Sequence, residues 1–288
     1  MQFRPALLTA FIAAALAGAL RADTPAQAES LPERQLKEIV DHQKALFSDA
    51  SSQGSAFDQA GFTTQVEQLT REYESLLKDS PDFAAGYASY GYMLRKVGLR
   101  KQSLAILMKA NALDPTIPLV KNEIGNFLAE DGKTMEALGY FLSAVNLEPD
   151  EPLYHYELGR LLFEGRDDLL RSGEWSRVAL DHAMTEAFRK AAELAPDRIE
   201  FTYRYAESFA DVQNPDWPGA LRAWQNLEAR AQSDVERGVM RLQEANVLVN
   251  MGKPDAARKV LDSIKNPDFD AQKKKLADRM AADAAKPS

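Results

Sequence analysis

The chain has no cysteine in 288 residues, only three histidines, and beyond residue 20 no apolar run long enough to span a bilayer. Without cysteine there can be neither a disulfide nor a lipid-modified anchor. His42, His155 and His182 form no i, i+4 metal pair, and HExxH, G-x-S-x-G and P-loop motifs are all absent. Acidic pairs such as Asp167 and Asp168 lack a partner that would tune one of them as an acid or base. No catalytic site, metal or cofactor is therefore expected. Positive charge is also short. The net charge of −8 argues against general binding to nucleic acid or anionic lipid, which needs a basic field. Alternating β-branched runs are missing too, which leaves an all-helical chain with 45% hydrophobic residues for its core.

What the chain does have is a period. Gly91, Gly125 and Gly159 are spaced 34 residues apart, as are Pro81, Pro115 and Pro149; Gly98 and Gly132, and Ala110 and Ala144, share the interval. A fixed period of this length marks stacked helix-turn-helix repeats. Within one repeat, Tyr87, Tyr90, Gly91 and Leu94 lie on one helical face, and Gly98 ends the helix in a left-handed turn. Ser103, Leu107, Ala110 and Leu113 form the second helix, which Asp114-Pro115 ends because a residue before proline is pushed out of the α region. The next repeat follows the same plan with Ile124, Gly125, Leu128, Gly132, Ala137, Phe141, Ala144 and Leu147.

Glycine inside a helix costs about 1 kcal/mol against alanine, so Gly91, Gly125 and Gly159 imply a recurring gain. The simplest is close packing of helix on helix, with glycine facing a small residue such as Ser103 or Ala137. Asp82, Thr116, Asp150 and Asp197 each follow a closing proline and are predicted to cap the next helix. Pro118 and Pro152 fall in the first turn, where a missing amide proton does no harm.

These spaced positions resemble the tetratricopeptide repeat (TPR). The resemblance covers roughly residues 61–267 and is strongest from Asp82 to Pro149. It implies an all-α, right-handed superhelical solenoid of antiparallel helix pairs. A third repeat begins at His155, Leu158, Gly159 and Leu162 but closes at Phe188, Ala191 and Pro196. About 13 residues are therefore inserted, near 165–178. There Leu169, Leu170 and Trp175 are expected to pack against the solenoid or, less simply, to offer a contact site. A fourth repeat reads Tyr205, Ala206, Phe209, Ala220, Trp224 and Leu227. A fifth reads Glu244, Ala245, Leu248, Ala257 and Leu261. Leu69, Tyr73 and Leu76 resemble the second helix of a degenerate earlier repeat. Residues 29–60 supply an amphipathic helix near Glu33 to Phe47 and a flexible Ser/Gly/Ala-rich linker. Residues 268–288 read as a capping helix and tail.

The amino terminus reads as an export signal. Arg4 precedes an apolar run from Ala6 to Leu20, 15 residues long, too short for a span of about 20. Ala26-Gln27-Ala28 offers small residues for cleavage after Ala28, with Ala22 the nearest alternative and an uncleaved anchor a further one. Losing residues 1–28 makes the chain one charge more negative. The expected location is the bacterial periplasm, or full secretion.

Function then rests on a surface. The resemblance implies that the first helix of each repeat lines a concave groove for a protein or extended peptide partner. Carried over, the groove residues are Tyr92, Arg95, Asn122, Asn126, Tyr156, Arg160, Tyr203 and Asn246, with Lys96, Glu130, Phe163 and Glu207 beside them. Asparagine amides can hold a peptide backbone, tyrosine adds rigid area with a polar tip, and arginine can pair with a carboxylate. The family's carboxylate-gripping version expects a lysine where Ala88 stands. Two other classes stay open: a structural subunit assembling through the convex face, and an enzymatic or carbohydrate-binding role for the insertion.

Overall fold

A computed structural model describes residues 29–52, 54 and 57–284, so the export signal lies outside the described residues. Fourteen α-helices and a short 3-10 turn make up the described chain, with no strand among the described residues. The chain divides into two compact units, 1–157 and 158–288.

The first unit contains α1 (Leu31–Ser52), α2 (Gln59–Asp79), α3 (Ala84–Lys96), α4 (Arg100–Leu113), α5 (Pro118–Glu130), α6 (Thr134–Leu147) and the start of α7 (Pro152–Glu164). Ser30 and Glu33 open α1 with a reciprocal cap: the Ser30 amide donates to Glu33 Oε2 at 2.7 Å, and the Glu33 amide to Ser30 Oγ at 3.4 Å. The helix runs to Ser52, through residues read from sequence as linker. Its stripe of Leu36, Ile39, Val40 and Phe47 closes on Leu69, Tyr73 and Leu76 of α2, so the two helices share one core. Inside it Tyr73 donates its hydroxyl to buried Gln43 Oε1 at 2.7 Å and stacks on Tyr90 at 5.2 Å. α1 and α2 thus form a helix pair, and α2 carries Leu69, Tyr73 and Leu76.

α3 with α4, and α5 with α6, are the two regular pairs. Gly98 and Gly132 take φ of +81° and +73°, where a Cβ is strained. Each turn closes by the same bond: Leu99 N–H donates to Leu94 O at 2.9 Å, and Lys133 N–H to Leu128 O at 2.8 Å. The helical glycines give the expected close packing, with Ser103 against Gly91, but a large residue of the partner helix is pressed there as well. A Cβ at Gly91 would meet Leu107 at 2.7 Å, and one at Gly125 would meet the Phe141 ring at 3.1 Å. What needs the missing side chain is a large group of the partner helix. The small residue contributes a hydrogen bond instead, since Ser103 donates its hydroxyl to Gly91 O at 2.7 Å.

The capping expectation fails for Asp82, Thr116 and Asp197. α3 and α5 follow Phe83 and Ile117, neither of which makes a side-chain cap, and α10 follows Arg198 in the same way. Asp82, Thr116 and Asp197 sit one residue too early for their oxygens to reach the first free amides. Thr116 instead donates its own amide and hydroxyl to Asp114 Oδ1 at 2.8 and 2.6 Å.

The second unit continues α7 and adds α8 (Arg166–Arg171), α9 (Arg177–Leu194), α10 (Ile199–Ser208), α11 (Trp217–Arg230), α12 (Asp234–Asn250), α13 (Pro254–Ser263) and α14 (Asp270–Ala284). Gly159 repeats the close approach, at 2.9 Å from the Phe188 ring. The insertion folds as α8 and a turn at Gly173, and Leu169 is fully buried. α14 packs Leu276 and Met280 into a cluster with Leu261, Ile264 and Phe269, which covers the last repeat.

Candidate functional site

In the first unit the first helices α3, α5 and α7 bring polar side chains together. Arg95 reaches from α3 to α5: its Nε lies 2.7 Å from Glu123 Oε2 and its Nη2 2.7 Å from Glu130 Oε1, and its guanidinium lies over the Phe127 ring at 4.7 Å. Arg100 extends the chain of charges, to Glu130 at 3.1 Å and Asp131 at 2.7 Å. Burial pushes the Glu123 carboxyl up, against the pull of Arg95 and Lys96. Burial lowers the Lys96 ammonium, with Glu123 opposing, and Lys96 Nζ lies 5.2 Å from the Tyr92 ring. Burial also raises the Tyr92 and Tyr154 hydroxyls. Breaking a pair as enclosed as Arg95–Glu123 costs about 3–5 kcal/mol, so this network holds α3 to α5.

In the second unit a different cluster forms around Asp181, which is 5% exposed in α9. Arg177 Nε bonds both its oxygens at 2.8 and 2.9 Å, Arg166 Nη2 lies 3.5 Å away, and the Gln213 amide donates to it at 2.8 Å. Arg166 and Arg177 also donate to Asp211 O, at 2.9 and 3.1 Å. The inserted segment thereby braces the loop between α10 and α11. Next to that loop lies a cavity of about 390 Å³ lined by Phe163, Arg204, Glu207, Trp217, Gln243 and Asn246, among others. Arg204 donates to Asp211 Oδ2 at 2.8 Å and sits 4.5 Å from the Phe163 and Phe188 ring centres.

No family model matches the chain, and no curated protein matches its sequence. Solved structures do. YrrB, a TPR protein with an unusual peptide-binding site, aligns with a TM-score of 0.54 at 15% identity, over 74% of this chain and 96% of that one. The fold is the tetratricopeptide-repeat fold. Pseudomonas aeruginosa PilF aligns at 0.52 and 15% identity over 84% of this chain and 99% of its own. PilW, a widely conserved type IV pilus biogenesis factor, aligns at 0.54 and 11% identity over 87% of this chain and 100% of its own. At these identities the likeness is one of fold.

On this TPR frame, Tyr92, Arg95, Asn122, Asn126 and Tyr156 fall in the first unit. Asn122 is 0% exposed with its carboxamide oxygen unpartnered, and Tyr92 and Asn126 are 7% and 6% exposed. Arg95 is committed to Glu123 and Glu130, which leaves Tyr156 as the partly open side chain of the five. Arg160, Tyr203 and Asn246 fall in the second unit. Arg160 bonds Glu164 at 3.0 Å, Tyr203 meets Trp224 edge-on at 5.0 Å, and Asn246 Oδ1 accepts from Arg279 at 3.0 Å while lining the cavity. His155 donates Nε2–H to Pro149 O at 2.7 Å and is buried. The Asp181 cluster and Arg204 escaped the sequence reading; Arg177 and Asp181 at i, i+4 were the one visible signal.

Proposed function

We propose that this protein is an exported, non-catalytic TPR scaffold. Its first helices bind a protein or an extended peptide segment, in envelope assembly or in the maturation of exported proteins. The observation that carries this reading is the side-chain chemistry of those helices. Tyr156 in one unit, and Tyr203, Gln243 and Asn246 in the other, are partly open aromatic and amide groups. Such groups hold a peptide backbone and its side chains at low entropic cost. The peptide-binding site of YrrB and the pilus-biogenesis role of PilW on the same fold support it. The apolar run from Ala6 to Leu20 ahead of Ala26-Gln27-Ala28 is the sequence pattern that supports export, and no described helix is long and apolar enough to cross a membrane.

The test is affinity capture of the mature protein from the cell envelope, beside Tyr156→Ala, Arg160→Glu and Tyr203→Ala variants with unchanged melting. A partner retained by the parent and lost by the variants supports the reading; retention by all three removes it.

A second reading has its own observation. Met108 in α4 and Leu142 and Leu147 in α6 are 46%, 42% and 40% exposed, which suits a subunit that assembles through its second helices.

A further inference from the structure

The cavity of the second unit joins four rings, Phe163, Phe209, Trp217 and Trp224, to three charged groups, Arg204, Glu207 and Asp211. Two of those charges cancel in the Arg204–Asp211 pair, and Arg204 is further held between Phe163 and Phe188. Glu207 is left as the excess charge: its neighbours at electrostatic range are Arg204, already matched, and Asp211, of its own sign. Burial raises its carboxyl, Arg204 draws it down and Asp211 adds to the rise. A second cation would relieve that carboxylate, and indole rings attract cations through their faces. An incoming anion would meet the same unmatched Glu207 carboxylate, and although Arg204 Nη2 is buried without a partner, the Arg204 charge is already matched by Asp211. The volume, about 390 Å³, lies in the usual range for a ligand site.

We propose that this cavity takes the cationic side chain of a lysine or arginine in the bound segment, with Glu207 as its counter-ion and Trp217 and Trp224 as its walls. The inference rests on the scaffold reading and adds the chemistry of the partner: a basic residue at the position that reaches α10, α11 and α12.

The test uses the full mature chain and n-butylammonium chloride, the end of a lysine side chain, titrated while the indole N–H signals are followed by NMR. Trp217 and Trp224 are assigned by single Trp→Phe variants, and Trp175, outside the cavity lining, serves as the internal control. The expected result is saturable shifts at Trp217 and Trp224, none at Trp175, no response to sodium butyrate, and at least a tenfold weaker fit for Glu207→Gln. Butyrate binding as well as butylammonium, no saturable shift, or a Glu207→Gln protein that folds and titrates like the parent each overturns the proposal. The butylammonium–butyrate contrast needs no variant, so it stands even if Glu207→Gln fails to fold. Partner capture that the capture variants abolish, together with a failed titration, removes this inference alone; a positive titration with capture unaffected by those variants removes the scaffold reading alone.

Discussion

Gly125 and Gly159 are shaped by the ring on the opposite helix. A methyl at Gly125 would lie 3.1 Å from the Phe141 ring, and one at Gly159 would lie 2.9 Å from the Phe188 ring, which must then shift; an overpacked core position costs about 1–3 kcal/mol. Gly139, in α6, has open space where its Cβ would be, so alanine there gains about 1 kcal/mol of helix propensity. Thermal melts should therefore move in opposite directions, down for Gly159→Ala and up for Gly139→Ala. Equal effects at the two positions would show that propensity alone sets the glycines. The sequence revealed that these glycines matter, because they keep a period. It did not reveal their partner, because a 34-residue echo aligns Gly with both Ser103 or Ala137 and Leu107 or Phe141, and only packing chooses.

Glu244 is the second residue with a measurable consequence. It is 4% exposed beside Glu228, whose Oε1 accepts from Arg241 Nε at 2.6 Å. Burial, then the hydrogen bond and charge of Glu228, push its carboxyl up to about 7, from 4.5. The folded chain holds that proton more tightly than the unfolded chain, so the stabilisation is complete below pH 4.5 and is lost as pH rises through about 7. Melting temperature should fall from about pH 5 to about pH 8. Glu244→Gln should flatten that slope and melt about 2–4 °C above the parent at about pH 8. A variant with the parent's slope would contradict the shared-proton account.

Among elements, the insertion departs furthest from the repeat and is the least legible in sequence. Its length could be counted from Pro149 to Pro196, yet its role depends on contacts with residues roughly 30 to 45 positions ahead. Arg166, Arg177 and Asp181 hold Asp211 and Gln213, so the segment acts as a brace for the loop between α10 and α11. Asp181→Asn removes the charge that both arginines face. Hydrogen exchange at the Gln213 amide should speed up by at least tenfold while α3 to α6 stay protected; unchanged exchange would mean that the loop stands without its brace. The helix ends carry a related lesson. Turn-closing glycines were legible because φ above zero admits little else. The caps were misplaced by one residue because Pro-Asp turns close through the backbone, as in Phe83 N–H to Ser80 O at 3.2 Å.

At the scale of the molecule, the all-helical TPR fold was legible from the period alone, since it is written in local spacing. The binding faces were less so. Repeat position put Arg95 and Asn122 on first helices, but burial is decided by neighbours: Glu123 and Glu130 take the arginine, and Asn122 is covered. Export makes a separate prediction, that intact mass of the protein recovered outside the cytoplasm fits a chain beginning at Glu29; a full-length mass would contradict cleavage. The scaffold account as a whole is tested most directly by site-specific photo-crosslinking in cells. A benzophenone side chain placed at Tyr156 or Tyr203, on first helices, is expected to capture the same polypeptide, while Met108 or Leu142, on second helices, captures none. Adducts from Met108 and Leu142 alone would contradict it and favour assembly through the second helices.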